Sequence, residues 1–191
     1  MALGPPSYTI RRATPGESEL IGDLRLASLL SLEVPGGSLQ EISAFIAALP
    51  DVDADLVRAG RYFVAERRGE LIGGLGWSVL PLGFRPGRLL DEDFRPAALS
   101  LDPASVLVRG FFLDPDFGRR AVAAHLLPHM EFDAAQAGHE SAELIAPASA
   151  EMLYRGLGFR PVRRLFVMAD QGSVPLVQMR KRLPLRLRSA A

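Results

Sequence analysis

Two stretches of this chain combine residue types and spacings that could do chemistry. The first is Phe111-Phe112-Leu113-Asp114-Pro115-Asp116-Phe117-Gly118-Arg119-Arg120-Ala121-Val122-Ala123. An apolar β-prone run ends in Asp-Pro, a turn follows, and a helical pattern begins. The first amides of a helix lack intrahelical acceptors and sit at the positive end of its dipole, so they converge on an anion. Gly118, Ala121 and Ala123 keep the corner bare, so a phosphate can approach the main chain. Arg119 and Arg120 add guanidinium donors, each charge-assisted bond contributing about 1.5–3 kcal/mol. Physically this is a pyrophosphate cradle. The second stretch is Leu153-Tyr154-Arg155-Gly156-Leu157-Gly158-Phe159, a tyrosine early in a short helix followed by a glycine break and a further strand. Taken alone, the corner reads more readily as a plain strand–turn–helix corner; the tyrosine stretch downstream turns the balance toward a site.

The elements that must position these stretches follow from periodicity and punctuation. Tyr8 to Arg12 is a short strand, and Thr14-Pro15-Gly16-Glu17 is a capping box for a helix to about Leu32. Ser38 and Glu41 open a second helix closed by Pro50, and Asp53 to Gly60 adds a helical turn. Arg61 to Arg67 and Leu71 to Leu80 read as strands joined by a hairpin turn at Arg68-Gly69-Glu70. Pro81 to Ala104 is irregular, and Ser105 to Leu113 is a third long strand. A helix from Arg119 to Ala137 contains Pro128, which should kink it or lengthen its local hydrogen bonds. Ser141 to Ala146 is a strand, Pro147 to Arg155 a short helix, and Pro161 to Met168 with Val174 to Arg182 a closing hairpin. The order β, α, α, β, β, β, α, β, α, β, β is that of an α/β or α+β sheet covered by helices.

Together the two stretches resemble the GCN5-related N-acetyltransferase (GNAT) superfamily, over essentially the whole chain. Leu113-Asp114-Pro115 matches the family's Val-x-Pro-like strand end, Gly118 to Ala123 occupies its pyrophosphate loop, and Tyr154, Gly158 and Phe159 supply its Tyr-x-x-x-Gly-Phe signature. The loop's leading Arg or Gln is Gly118 here, its first glycine is Ala121, and a frequent asparagine seven residues before the tyrosine is Pro147. The resemblance implies a mixed, mostly antiparallel, splayed sheet of about six or seven strands flanked by helices. It implies acetyl-coenzyme A as cosubstrate and an amine of a small molecule or peptide as acceptor. The main chain of Phe111, Phe112 and Leu113 would pair with the pantetheine arm. The Leu113 N–H would polarise the thioester carbonyl. Residues Gly118, Arg119, Arg120, Ala121, Val122 and Ala123 would bind the cofactor phosphates, and Tyr154 would protonate the departing thiolate. Glu143 is a candidate general base, with Glu140 and a water chain as rivals. A second reading is a catalytically weak or silent domain that binds acyl-coenzyme A or a protein partner.

Composition bounds the rest. The 191 residues suit a single domain, with a core at about 8–182 and a flexible tail at 183–191. Twenty-two basic and twenty-two acidic residues cancel, which argues against a nucleic-acid partner. Lys181 is the only lysine, and there is no cysteine to serve as nucleophile or thiolate ligand. With neither a leader pattern nor a membrane-length apolar run, a cytoplasmic protein is expected. His125 and His129 have metal-ligand spacing but read as a packed or solvated pair. Trp77, Phe63 and Tyr62 read as core, and Asp91-Glu92-Asp93 as a solvated run. The alternation around Arg180-Lys181-Arg182 suggests an edge strand, and with it a homodimer.

Overall fold

The capping box at Thr14 forms. The Glu17 carboxylate accepts the Thr14 N–H at 2.7 Å and the Thr14 hydroxyl at 2.9 Å, and Arg11 grips the same carboxylate at 2.6 Å. The first turn, Pro15–Glu17, is 3₁₀, and helix α1 continues it over Ser18–Leu30. The structure is a computed structural model that describes residues 8–31, 54–79, 89–98, 101–117, 119–169 and 172–184. The helix expected from Ser38 to Leu49 lies outside those residues.

Around α1 the elements are β1 (Thr9–Arg12), α2 (Ala54–Arg58), β2 (Tyr62–Arg67), β3 (Glu70–Ser78), β4 (Leu89–Leu90), β5 (Ser105–Leu113), α3 (Arg119–Gln136), β6 (Ser141–Pro147), α4 (Glu151–Gly156), β7 (Arg160–Ala169) and β8 (Gly172–Arg182). They build one sheet in the order β1-β2-β3-β5-β6-β8-β7-β4, antiparallel except between β5 and β6. The hairpin turn between β2 and β3 forms as expected, with Arg68 and Gly69 both at positive φ (53° and 86°). The eighth strand is β4, two residues pairing with β7 inside the stretch read as irregular; it is too short to show a period. One expectation is corrected. β8 pairs with β6 on one side and β7 on the other, so it is interior, and the edges are β1 and β4. The premise for a homodimer through a C-terminal edge therefore falls away.

Alternation along β2 separates two apolar layers. Tyr62 and Val64 join Ile21, Leu56, Val57, Leu71 and Phe112 on the α1–α2 face, while Phe63 and Ala65 join the α3 face. Across the α3 face, Val122, Leu126, Leu127 and Met130 lie against Leu75, Trp77, Val106 and Leu144. α3 runs on through Pro128. The lone lysine, Lys181, pairs with Glu131 of α3 at 2.5 Å, tying helix to sheet. Trp77 is core, 2% exposed, with its indole N–H on Asp133 at 2.8 Å.

Glycines on β3 set how closely the layers approach. A Cβ at Gly73 would stand 3.0 Å from Val122 and 3.1 Å from Leu126, so α3 rests on the strand there. On the opposite face, a Cβ at Gly74 would come within 2.6 Å of Phe112 and 2.9 Å of Tyr62. Gly74→Ala should therefore cost about 1–3 kcal/mol by overpacking. Gly22→Ala, inside α1 with nothing within 4 Å of the new methyl, should raise stability by up to about 1 kcal/mol. Urea unfolding of the two variants should move in opposite directions, and equal midpoints would contradict this packing.

Arg11, by its hydrogen bond, together with the Thr14 amide, holds the Glu17 carboxyl down at about 2, against 4.5 for a free glutamate. A lowered folded-state pKa contributes stability above the unfolded value and loses it as pH falls toward the folded one. Glu17→Gln should thus cost about 1–2 kcal/mol near neutral pH. In urea titrations, the gap from wild type should close as pH falls from 4.5 toward 2.

Candidate active site

The parallel pairing of β5 and β6 lasts three positions, Ser105↔Ser141, Val106↔Ala142 and Leu107↔Glu143. Beyond Leu107, β5 follows β3 as far as Leu113, while β6 follows β8 as far as Pro147. The two strands part and leave a wedge. A bulge bends β5 where it opens: Arg109 faces Gly76 and Phe112 faces Gly74, so β5 carries one extra residue, and Gly110 takes φ 57°. The Tyr62 hydroxyl donates to the Gly110 carbonyl at 2.5 Å and pins the bulge. Burial pushes the Tyr62 phenol far above its ordinary range, so it stays a donor.

Register decides which main-chain groups face the wedge. The Asp114 N–H donates to the Ile72 carbonyl at 3.0 Å, which makes Gly73 and Leu113 a non-hydrogen-bonded pair. The amide and carbonyl of Leu113 therefore point away from β3, toward the wedge. Phe112 alternates the other way. Its main chain faces Gly74 and its side chain is buried on the α1 face. The expectation that Phe112 lends its main chain to a ligand is corrected on that ground. The Leu113 amide is also not bare, as Ser28 of α1 accepts its N–H at 3.1 Å and donates to its carbonyl at 2.9 Å.

Helix α4 stands across the wedge. The Tyr154 ring lies 5.8 Å from that of Phe111 and 6.2 Å from that of Phe159, edge-on to the latter. The glycine of the signature has a local reason. Gly158, at φ 94°, reverses the chain after α4, so the Phe159 N–H returns to the Tyr154 carbonyl at 3.0 Å and the Phe159 ring enters the core. Burial raises the Tyr154 phenol above its usual range. Glu151 fastens α4 down, pairing with Arg155 at 2.8 Å and Arg164 of β7 at 2.7 Å. The Arg155 hydrogen bond, helped by both arginine charges, lowers its carboxyl.

At the mouth of the wedge, a 3₁₀ turn at Pro115–Phe117 leads into α3. Gly118 and the side chain of Arg119 lie outside the described residues. Arg120 reaches across to α4: a Cβ placed on Gly156 would lie 3.5 Å from its Nη2. The Ala121 carbonyl accepts the Tyr8 hydroxyl at 3.4 Å, and Val122 and Ala123 are 1% and 0% exposed. Those last two can meet a ligand only through their main chain. Sequence reasoning missed Arg67, at the end of β2. Its guanidinium sits 5.0 Å from the centre of the Phe117 ring, and its buried Nε has no hydrogen-bond partner among the described residues. That guanidinium places a positive charge beside the corner where α3 begins, the end of a helix that favours an anion. Neither Arg67 nor Ser28 carries any local signal, since each reaches the site only through the sheet.

Glu143 is fully buried and committed elsewhere. Its carboxylate accepts the Asp102 N–H at 3.0 Å and the Gln178 amide at 2.5 Å, and pairs with Arg180 at 3.0 Å. It locks β6 to β8, and so engaged it has no free approach to an amine. His125 Nδ1 meets the Tyr8 hydroxyl at 2.5 Å, and His129 Nδ1 meets the His125 carbonyl at 3.0 Å. No group of metal-binding side chains occurs among the described residues. Asp91 caps its own exposed turn, accepting the N–H groups of Asp93 and Arg95 at 2.9 Å. No described helix is long and apolar enough to cross a membrane.

No family model matches the chain, and no curated protein matches it. Solved structures do. A GCN5-related N-acetyltransferase from Rhodopseudomonas palustris aligns over 96% of this chain and 100% of its own, with TM-score 0.64 and 14% identity. A GNAT-superfamily phosphinothricin acetyltransferase from Sinorhizobium meliloti, in complex with acetyl-coenzyme A, covers 93% and 89%, with TM-score 0.58 and 20% identity. An N-acetyltransferase from Thermoplasma acidophilum, in complex with coenzyme A, covers 93% and 99%, with TM-score 0.61 and 13% identity. With its mixed sheet parting between β5 and β6, this chain has the fold of the GCN5-related N-acetyltransferases.

Proposed function

We propose that this chain is an N-acetyltransferase that moves an acetyl group from acetyl-coenzyme A to an amine of a small molecule or peptide. The observation that carries this reading is the wedge. One wall presents the Leu113 main chain, the other carries Tyr154, and Arg67 and Arg120 bring two guanidinium groups to Phe117 and Gly156 beside the start of α3 and the end of α4. Acetyl-coenzyme A would supply the acetyl group activated as a thioester. The first α3 amides, Arg120 and Arg67 are the groups to hold its phosphates, with Arg119 as an expected fourth contact. Phe111 walls the wedge on the β5 side. The Leu113 N–H is a hydrogen-bond donor fixed by sheet register, which suits it to stabilise charge on an acyl oxygen. Tyr154 keeps its proton at neutral pH because burial disfavours the phenolate. It is therefore a proton donor and not a base.

The engagement of Glu143 favours a second reading, a domain that binds acyl-coenzyme A without turning it over, unless Glu140 or water serves as base. The partners that go with the first reading are the cosubstrate and an amine, and the balance of basic and acidic residues supports this over nucleic acid.

Thiol release from acetyl-coenzyme A, assayed against a panel of amines, separates the two readings. Turnover supports transfer, while a thermal shift without turnover supports binding alone. Saturation at 100 times the dissociation constant should add about 2.7 kcal/mol of stability. Tyr154→Phe should lower kcat by about 10²–10⁴, and an unchanged kcat would remove Tyr154 from the mechanism. Arg67→Ala should weaken coenzyme A binding about tenfold, the equivalent of one charge-assisted contact, with little change in kcat. An unaltered dissociation constant would return Arg67 to a purely structural role on Phe117.

A further inference from the structure

Ser28 is an unusual residue for its place. The inward stripe of α1 is Ile21, Arg25 and Ser28, at 0%, 9% and 9% exposure, while Leu20, Leu26 and Leu30 are more than 40% exposed. A serine in or just after a helix often turns its hydroxyl back on a carbonyl of the preceding turn, as Ser31, one residue past α1, does on the Ser28 carbonyl at 2.8 Å. Ser28 instead leaves its own helix and bridges both polar groups of Leu113, 85 residues away. Those groups face the wedge, where no neighbouring strand can pair with them. The contact is buried, and nothing else in the described residues bonds to that amide.

We propose that Ser28 is a second oxyanion donor of the acyl-transfer site, acting beside the Leu113 N–H; this rests on the acetyltransferase reading above. A hydroxyl has one proton to give and two lone pairs to receive. In the structure as it stands, Ser28 accepts from the Leu113 N–H and donates to its carbonyl. An acyl oxygen drawn to that N–H takes over the accepting role and lies within reach of the Ser28 hydroxyl, which turns its proton to it. Two donors then converge on the oxygen that gains charge when an amine adds to the acyl carbon. Ser28 keeps its proton throughout and forms no covalent bond. The same hydroxyl satisfies the Leu113 amide whenever no acyl group is present, which keeps a buried donor from being left unpaired.

The test uses the full chain with Ser28→Ala, Ser28→Cys and Ser28→Thr. Cysteine keeps the side-chain shape with a weak donor, and threonine keeps the hydroxyl. Ser28→Ala and Ser28→Cys should lower kcat by about 10²–10³ with little change in the KM for acetyl-coenzyme A, and Ser28→Thr should recover most of the loss. A readout independent of turnover is the carbonyl stretch of ¹³C-labelled acetyl-coenzyme A bound to each protein. It should move to higher wavenumber in Ser28→Ala and Ser28→Cys, and return in Ser28→Thr. A wild type that binds and turns over acetyl-coenzyme A, with Ser28→Cys matching it in kcat and in carbonyl frequency, overturns the role of Ser28 alone. A wild type that does not bind acetyl-coenzyme A overturns this role and the acetyltransferase reading together.

Discussion

A buried backbone amide that loses its strand partner must find another acceptor, and the parting of β5 from β6 after Leu107 creates that demand inside the sheet. Much of the site is a response to it. The bulge at Gly110 bends β5 and is held by the Tyr62 hydroxyl, while the main chain of Leu113 is taken up by Ser28. The rings of Phe111 and Tyr154 meet between β5 and α4, their centres 5.8 Å apart. A sheet that stayed paired to the end of β5 would have none of these groups available to a ligand.

Close packing makes the parting tolerable. Gly73 lets α3 rest on β3, which carries the start of that helix to the end of β5. Gly74 and Gly76 leave room for the Tyr62 ring to cross the strand, since a Cβ at either would come within 3 Å of it. The same three positions thus place the helix whose first amides are proposed to meet an anion and the phenol that pins the bulge. Arg67 stacks on Phe117 just before α3, and Arg120 at its first turn lies against Gly156 of α4. The Glu151 pairs with Arg155 and Arg164 hold α4, and with it Tyr154, against β7. Glu143 plays the corresponding part between β6 and β8, which is why a carboxylate in a suggestive position is not offered to a substrate.

Features with a local cause were legible in the sequence: the capping box at Thr14, the Arg68-Gly69 hairpin, the long strand to Leu113, the helix from Arg119, and the turn at Gly158 that seats Phe159 beneath Tyr154. Each is set by φ preference, capping or period within a few residues. The features that were misread or unseen depend on distant partners. The two residues of β4 show no period. β8 looked like an edge because alternation reports burial of one face and says nothing of who pairs on either side. Phe112 looked equivalent to its neighbours because only register with Gly74 tells which main-chain groups are already engaged.

The sequence by itself therefore determined the order of the described helices and of every described strand but β4, the corner at the start of α3, and the signature that carries Tyr154. Only the tertiary structure decided that Glu143 is committed to Arg180 and Gln178, that Arg67 stacks on Phe117 with its Nε unpartnered among the described residues, and that Ser28 reaches the Leu113 amide. The physical reason is separation along the chain. A hydrogen bond between residues 85 positions apart leaves no trace in the spacing of either, because it exists only once the sheet has set its register and the helix has been laid upon it.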